Sequence, residues 1–196
     1  MSGKKSRKIS MKPDWKWIIT IFSITMVISA TMSFVSNEVL TTNGLAVSFG
    51  VLLTIVLIGI VFDIIGMAVT AAEEKPFHSM AAKKIPEANE AIRMIRRADR
   101  VSSFCNDVVG DICGVVSGSA SAVIAVRVVA NAKGSASSVV QFLMSAAVAG
   151  LTVGGKAFGK SLAINNSTFI IHTAAKVIYW FKTLPGTVKK LLRRAS

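Results

Sequence analysis

Apolar residues gather into four long runs, separated by charged or turn-rich segments. Trp17–Val35, Leu45–Thr70, Val101–Val126 and Ser138–Ala157 each come close to or exceed the roughly 20 residues that a helix needs to cross a bilayer. The second run is the cleanest, reading AVSFGVLLTIVLIGIVF with no charge before Asp63. The third is rich in small residues and carries Asp107 and Asp111. Small side chains suit close helix–helix contact in lipid, so this run is expected to be packed rather than lipid-facing. Between the second and third runs, Pro76 and Pro86 punctuate a segment of good helix formers, which predicts a helical hairpin. After the fourth run, Asn165, Asn166 or Ser167 can cap one more helix. That helix is apolar, carries the cluster Tyr179–Trp180–Phe181, and is expected to stop at Pro185–Gly186. At about 16 residues it is short for a span, so it is expected to lie in the interface with its aromatics at headgroup level.

Composition sharpens this picture. Of 196 residues, 52% are hydrophobic, and mean hydropathy is +0.59, which few soluble domains of this size reach. The net charge of +13 would suit a nucleic-acid binder, but its distribution points elsewhere. Basic residues crowd the N-terminus (KKSRK, Lys12, Lys16), the segment Glu73–Arg100 and the C-terminal KKLLRR. The connection Ser36–Gly44 has none, and Arg127–Ser137 has only Arg127 and Lys133. Four spans put the three basic segments on one side, and the positive-inside rule makes that side cytoplasmic. Topology thus accounts for the charge without nucleic acid. Both termini are expected in the cytoplasm of a multi-pass protein of the cell membrane, with anionic lipid against the basic tail. The first run could serve as a signal peptide. It is long, and SATMSFVS lacks a small-x-small cleavage pattern, so it is expected to be retained as an anchor.

Candidate chemistry is sparse. Cys105 and Cys113 form neither a CxxC nor a disulfide framework and read as small buried apolar residues. His78 and His172 are far apart in sequence, and no HExxH, P-loop or nucleophile elbow is present. An enzyme is not expected. What stands out is charge inside the apolar runs: Asp63, Asp107, Asp111, Lys156 and Lys160. A rise of about 1.5 Å per residue puts Asp63 roughly 13 Å, Asp107 roughly 9 Å, Asp111 roughly 15 Å, Lys156 roughly 12 Å and Lys160 roughly 6 Å from the cytoplasmic ends of their spans. Three helices therefore bring ionisable groups to one layer, where such residues usually face the protein interior. Lys156 is expected to face Asp63 and Asp107. Asp107 and Asp111 share a helix face by i, i+4 spacing, as do Lys156 and Lys160. Gly154 and Gly155 would let the fourth run approach its neighbours or expose carbonyl oxygens. Asn106, Ser102, Ser103 and Thr152 add polar atoms. Two readings stay open on these residues: an oxygen-rich site for a hard cation such as Mg²⁺, or an ion-pair network that fixes helix register.

Three stretches then resemble a known family. Phe62-Asp-Ile-Ile-Gly-Met-Ala-Val-Thr-Ala71, Phe104-Cys-Asn-Asp-Val-Val-Gly110 and Gly154-Gly-Lys-Ala-Phe-Gly-Lys-Ser-Leu-Ala163 resemble, in order and spacing, the motifs FSxSExAxTS, IGNxxVN and FGExxPKxLA. These mark the transmembrane domain of the CNNM/CorC magnesium-transporter family. AIRMIRRADR is similar to that family's basic helix before its second span, and AINNSTFIIHTAAKVIYWF to its juxtamembrane segment. The resemblance covers about residues 46–182. It implies three transmembrane helices, a juxtamembrane helix, a homodimer and Mg²⁺ as the transported ion. It makes the first run an addition. The family's usual cytoplasmic CBS-pair module would start where this chain ends, so nucleotide-linked gating is not expected. The resemblance also implies an ion site at the positions of Asp63, Ile65, Asn106, Lys156 and the Gly155 carbonyl, and the residues expected to line it here are Asp63, Asn106, Asp107 and Lys156, with Asp63, Asn106 and Asp107 as the metal ligands. The departures are specific. Asp63 and Ile65 stand where the family has serines, and Gly66 stands for its first-motif glutamate. Cys105 replaces the glycine before Asn106, and Gly110 replaces the later asparagine. Lys156 replaces the third-motif glutamate and Gly159 its proline, while Lys160 is kept.

The expected architecture is an all-α membrane protein with four transmembrane helices. Residues 1–44 form a basic N-terminus and an extra helix. Residues 45–164 form a CNNM/CorC-like three-helix domain that includes the cytoplasmic hairpin, and residues 165–196 form an interfacial helix and basic tail. The expected function is transport related to divalent cations, chiefly Mg²⁺. The alternative is a transport-inactive scaffold or regulator in which Lys156 replaces the ion.

Overall fold

A computed structural model describes residues 15–129 and 136–195, with side chains described outside 136–137 and 184–195. The basic KKSRK stretch and most of the connection before the fourth run lie outside the described residues, as do the side chains of KKLLRR. Every element among the described residues is helical. In chain order they are α1 (Trp15–Thr42), α2 (Leu45–Ala71), α3 (Lys75–Ala82), α4 (Ala88–Arg96) and α5 (Ala98–Ser103). A π-helical segment, Phe104–Gly110, then leads into α6 (Asp111–Val129), followed by α7 (Ala136–Asn165) and α8 (Ser167–Ala195). Four stretches are long and apolar enough to cross a membrane: Trp15–Thr42, Leu45–Ala71, Ala98–Val129 and Ser138–Asn165.

α2 is the hub, packed against α5, the π segment, α6 and α7, with α1 lying mainly on α6. α1 outlasts its apolar run by a full turn and more. The Thr42 hydroxyl donates to the Glu38 carbonyl, Asn43 Nδ2 donates to Val39 O, and Arg127 closes the end. The Arg127 guanidinium donates to Leu40 O, to Asn43 O at 2.7 Å and to Ser48 Oγ at 3.1 Å. A helix C-terminus leaves carbonyls unpaired, and a cation supplied from α6 satisfies them. The α1–α2 turn is thereby tied to the end of α6.

The hairpin α3–α4 forms as expected. Lys84 N–H donates to Ala81 O and Ile85 N–H to Met80 O, with Lys84 at φ 60°. This is a Schellman end with lysine in the left-handed position that glycine usually takes. α3 and α4 close over the ends of α2, α7 and α8 in one apolar cluster, with Phe77, Val69, Ala91, Ala163 and Ile171 buried.

α8 departs from expectation. It does not stop at Pro185–Gly186 but runs through them to Ala195. Proline inside a helix sacrifices one backbone hydrogen bond, at a cost of about 3 kcal/mol, and need not end it. Nor is α8 a free amphipathic strip: it docks on α4 through Lys182–Glu90 at 2.7 Å and His172–Glu87 at 3.4 Å. Its other face leaves Phe169, Val177, Trp180 and Phe181 exposed.

Candidate functional site: an ion pair beside a π-helical turn

The site starts from how α7 meets α2. Ile60 and Ile64 are one turn apart on α2, and Gly155 and Gly159 are one turn apart on α7. A Cβ on Gly155 would lie 2.3 Å from Ile60 Cδ1, and one on Gly159 would lie 2.5 Å from Ile64 Cγ1. The two isoleucines thus fill the space that two side chains would need, and the helices close up. The glycine pair that does this is Gly155 and Gly159; Gly154 faces open space.

That contact brings Lys156 to Asp63. Lys156 Nζ lies 3.5 Å from Asp63 Oδ1, with the side chains 27% and 14% exposed. The distance is that of an ion pair rather than a close hydrogen bond. Span three completes the wall with backbone rather than a side chain. A Cβ on Gly110 would lie 3.4 Å from Lys156 Nζ, 3.4 Å from the Cys105 carbonyl oxygen and 3.8 Å from Asp63 Oδ1. Both Cys105 and Gly110 belong to the π-helical segment, whose wider i→i+5 turn recurs at functional sites.

Nearly one turn along α2 from Asp63, Gly66 receives Asn106. A Cβ on Gly66 would sit 2.1 Å from Asn106 Oδ1, so only glycine admits this amide. Asn106 Nδ2 donates to Ser102 Oγ at 3.3 Å. Asn106 Oδ1 is buried and has no partner among the described residues. Such an atom carries a desolvation cost unless a donor or cation reaches it.

The remaining predicted residues lie elsewhere. Asp107, expected to face Lys156, is exposed and lines a groove against α1 with Trp17 and Ser103. The reason is the inward face of span three: Cys105, Val108, Gly110 and Ile112 occupy it, which turns Asp107 and Asp111 to the opposite side. Asp111 and Lys160 are exposed, and neither joins an ion pair among the described residues. A metal set of Asp63, Asn106 and Asp107 is therefore not gathered, and no three His, Cys, Asp or Glu side chains among the described residues group closely enough to hold an ion.

No family model, curated protein or solved structure matches this chain. Two walls of the site, Gly66 and Gly110, carry no chemical signal in the chain that would mark them as such. Both are visible only as positions where the resembled family carries a glutamate and an asparagine. Arg127 reads from the chain only as loop charge, because nothing in its neighbours along the chain points to carbonyls on α1.

Proposed function

We propose that the chain is a four-span integral membrane protein, related to the CNNM/CorC transmembrane domain, in which Lys156 stands in the place of a bound divalent cation. Membrane insertion is supported by the uncovered apolar sides of the long helices. Phe22, Phe34, Leu53, Leu57, Phe142, Leu143 and Phe158 are all exposed, far beyond what a water-soluble monomer leaves bare. Topology is supported by the two ends of the bundle. The ends of α2 and α7, the hairpin and α8 share one apolar cluster, while Arg127 joins the α1–α2 turn at the other end. The basic hairpin and α8 therefore lie on the cytoplasmic side under the positive-inside rule. The exposed aromatics of α8, with Lys176 beside them, suit an anionic lipid interface.

The observation that carries the site reading is the Lys156–Asp63 pair. An ammonium tethered where three helices meet supplies the positive charge that Asp63 requires, so no mobile ion is needed for electroneutrality. The protein is then a membrane scaffold or regulator, most simply a homodimer, that keeps a transporter's shape. A second reading, Mg²⁺ transport, is favoured by one atom: Asn106 Oδ1, a buried oxygen without a partner among the described residues. Thermal unfolding of the purified protein separates the two. The first reading expects no response of Tm to millimolar Mg²⁺ and a large fall in Tm for Lys156→Ala. A rise in Tm with Mg²⁺ that Asp63→Asn abolishes would replace it with the second.

A further inference from the structure

The groove between α1 and span three is separate from the Asp63–Lys156 pair and has its own chemistry. It encloses about 550 Å³, within the range of small-molecule sites. Trp17, Phe22 and Met26 give it apolar and aromatic walls, and Ser29, Ser103 and Asp107 are polar groups along it. Arg100 stacks on the Trp17 ring, its guanidinium carbon 4.9 Å from the ring centroid, and helps fix that wall. Asp107 has neither an ion pair nor a hydrogen bond with any described residue. A carboxylate that opens onto an apolar groove at bilayer depth needs a counter-charge, and no cation among the described residues pairs with it.

We propose that this groove binds amphipathic organic monocations: lipophilic amines, phosphonium or quaternary ammonium compounds that enter laterally from the bilayer. The assignment rests on charge complementarity. A hard divalent ion would want several oxygen ligands, and the groove offers one carboxylate and a few hydroxyls among apolar surface. A bulky organic cation wants what is present: one anionic group and wide apolar walls with aromatic faces. The site depends on α1, the helix that the resembled family lacks. It rests on the membrane reading for the depth of Asp107, and it is independent of whether Asp63 ever holds an ion.

The test is equilibrium binding of radiolabelled tetraphenylphosphonium to the full chain, purified from washed membranes in mild detergent. Recovery from the washed membrane fraction checks the membrane reading before any ligand is added. Saturable binding is expected, at least tenfold weaker in Asp107→Asn and unchanged in Glu38→Gln, an exposed carboxylate at the other end of α1. Met26→Trp, which fills the groove without touching charge, should also weaken binding and guards against a fold defect in the aspartate variant. Tetraphenylborate, of matching shape and opposite charge, should fail to compete. Absence of saturable binding, equal binding by Asp107→Asn, or equal competition by the borate would overturn the proposal.

Discussion

Gly66 shows how much a single missing side chain decides. The Asn106 amide occupies the volume that a Cβ would take. Gly66→Ala should therefore expel Asn106 and cost about 1–3 kcal/mol, seen as a lower Tm with helicity retained. Asn106→Ala in the same background should recover part of that loss. The ion pair gives a sharper test. Removing Lys156 leaves Asp63 largely enclosed and unpaired, which should cost about 3 kcal/mol. The double change Lys156→Met with Asp63→Leu should be milder than either single change, and additive losses in that cycle would show that the two groups do not interact. Asp63 and Lys156 were legible from the chain because charge inside an apolar run is conspicuous and their depths agree. Asp107 looked equivalent by the same measure. Depth along an axis does not fix direction around it, and the π-helical segment adds a rotation that no count of residues announces.

Among the elements, the α3–α4 hairpin is where local chemistry and fold agree least. Lys84 occupies a left-handed position that costs a side-chain-bearing residue roughly 1 kcal/mol or more. Lys84→Gly should raise stability by about that amount in chemical denaturation, with the hairpin contacts unchanged. The hairpin also carries an acid-sensitive contact. The Glu74 carboxyl is held below its ordinary value of 4.5 by hydrogen bonds from His78 and Arg96. A carboxylate so lowered stabilises the folded state fully above that ordinary value, and the contribution fades as pH falls through the lowered one. Glu74→Gln should lower the neutral-pH plateau slightly and flatten the acid limb by the same small amount, so that the two proteins converge at low pH, the effect being small because the pair is at the surface. Both the hairpin and α8 were visible in the sequence as helices. The length of α8 was not. Pro185–Gly186 is a strong local stop, and the chain passes through it. The docking of α8 on α4 was not visible either, because Glu90 and Lys182 are distant along the chain and meet only once both helices are placed.

At the level of the whole molecule, the four apolar runs gave the architecture, since length and hydropathy are read directly from order along the chain. Which helix touches which was harder, because small residues serve packing and lipid exposure alike. The sidedness argued above predicts that a cysteine at Asn43 reacts with an impermeant thiol reagent from outside cells, and that one at Ser79 reacts only after permeabilisation; the reverse pattern would invert the topology. The clasp by Arg127 has a mechanical consequence. It pins α1 at its C-terminal end through three hydrogen bonds, while near Trp17 α1 meets span three more loosely, across the groove and through the Arg100–Trp17 stack. A rod fastened at one tip pivots about that tip, so swelling of the space near Trp17 tilts α1 without detaching it. Spin labels at Ile18 and Ser103 should therefore report a broad spread of separations that narrows when the space is filled, whereas labels at Asn37 and Val126 should hold one narrow distance throughout.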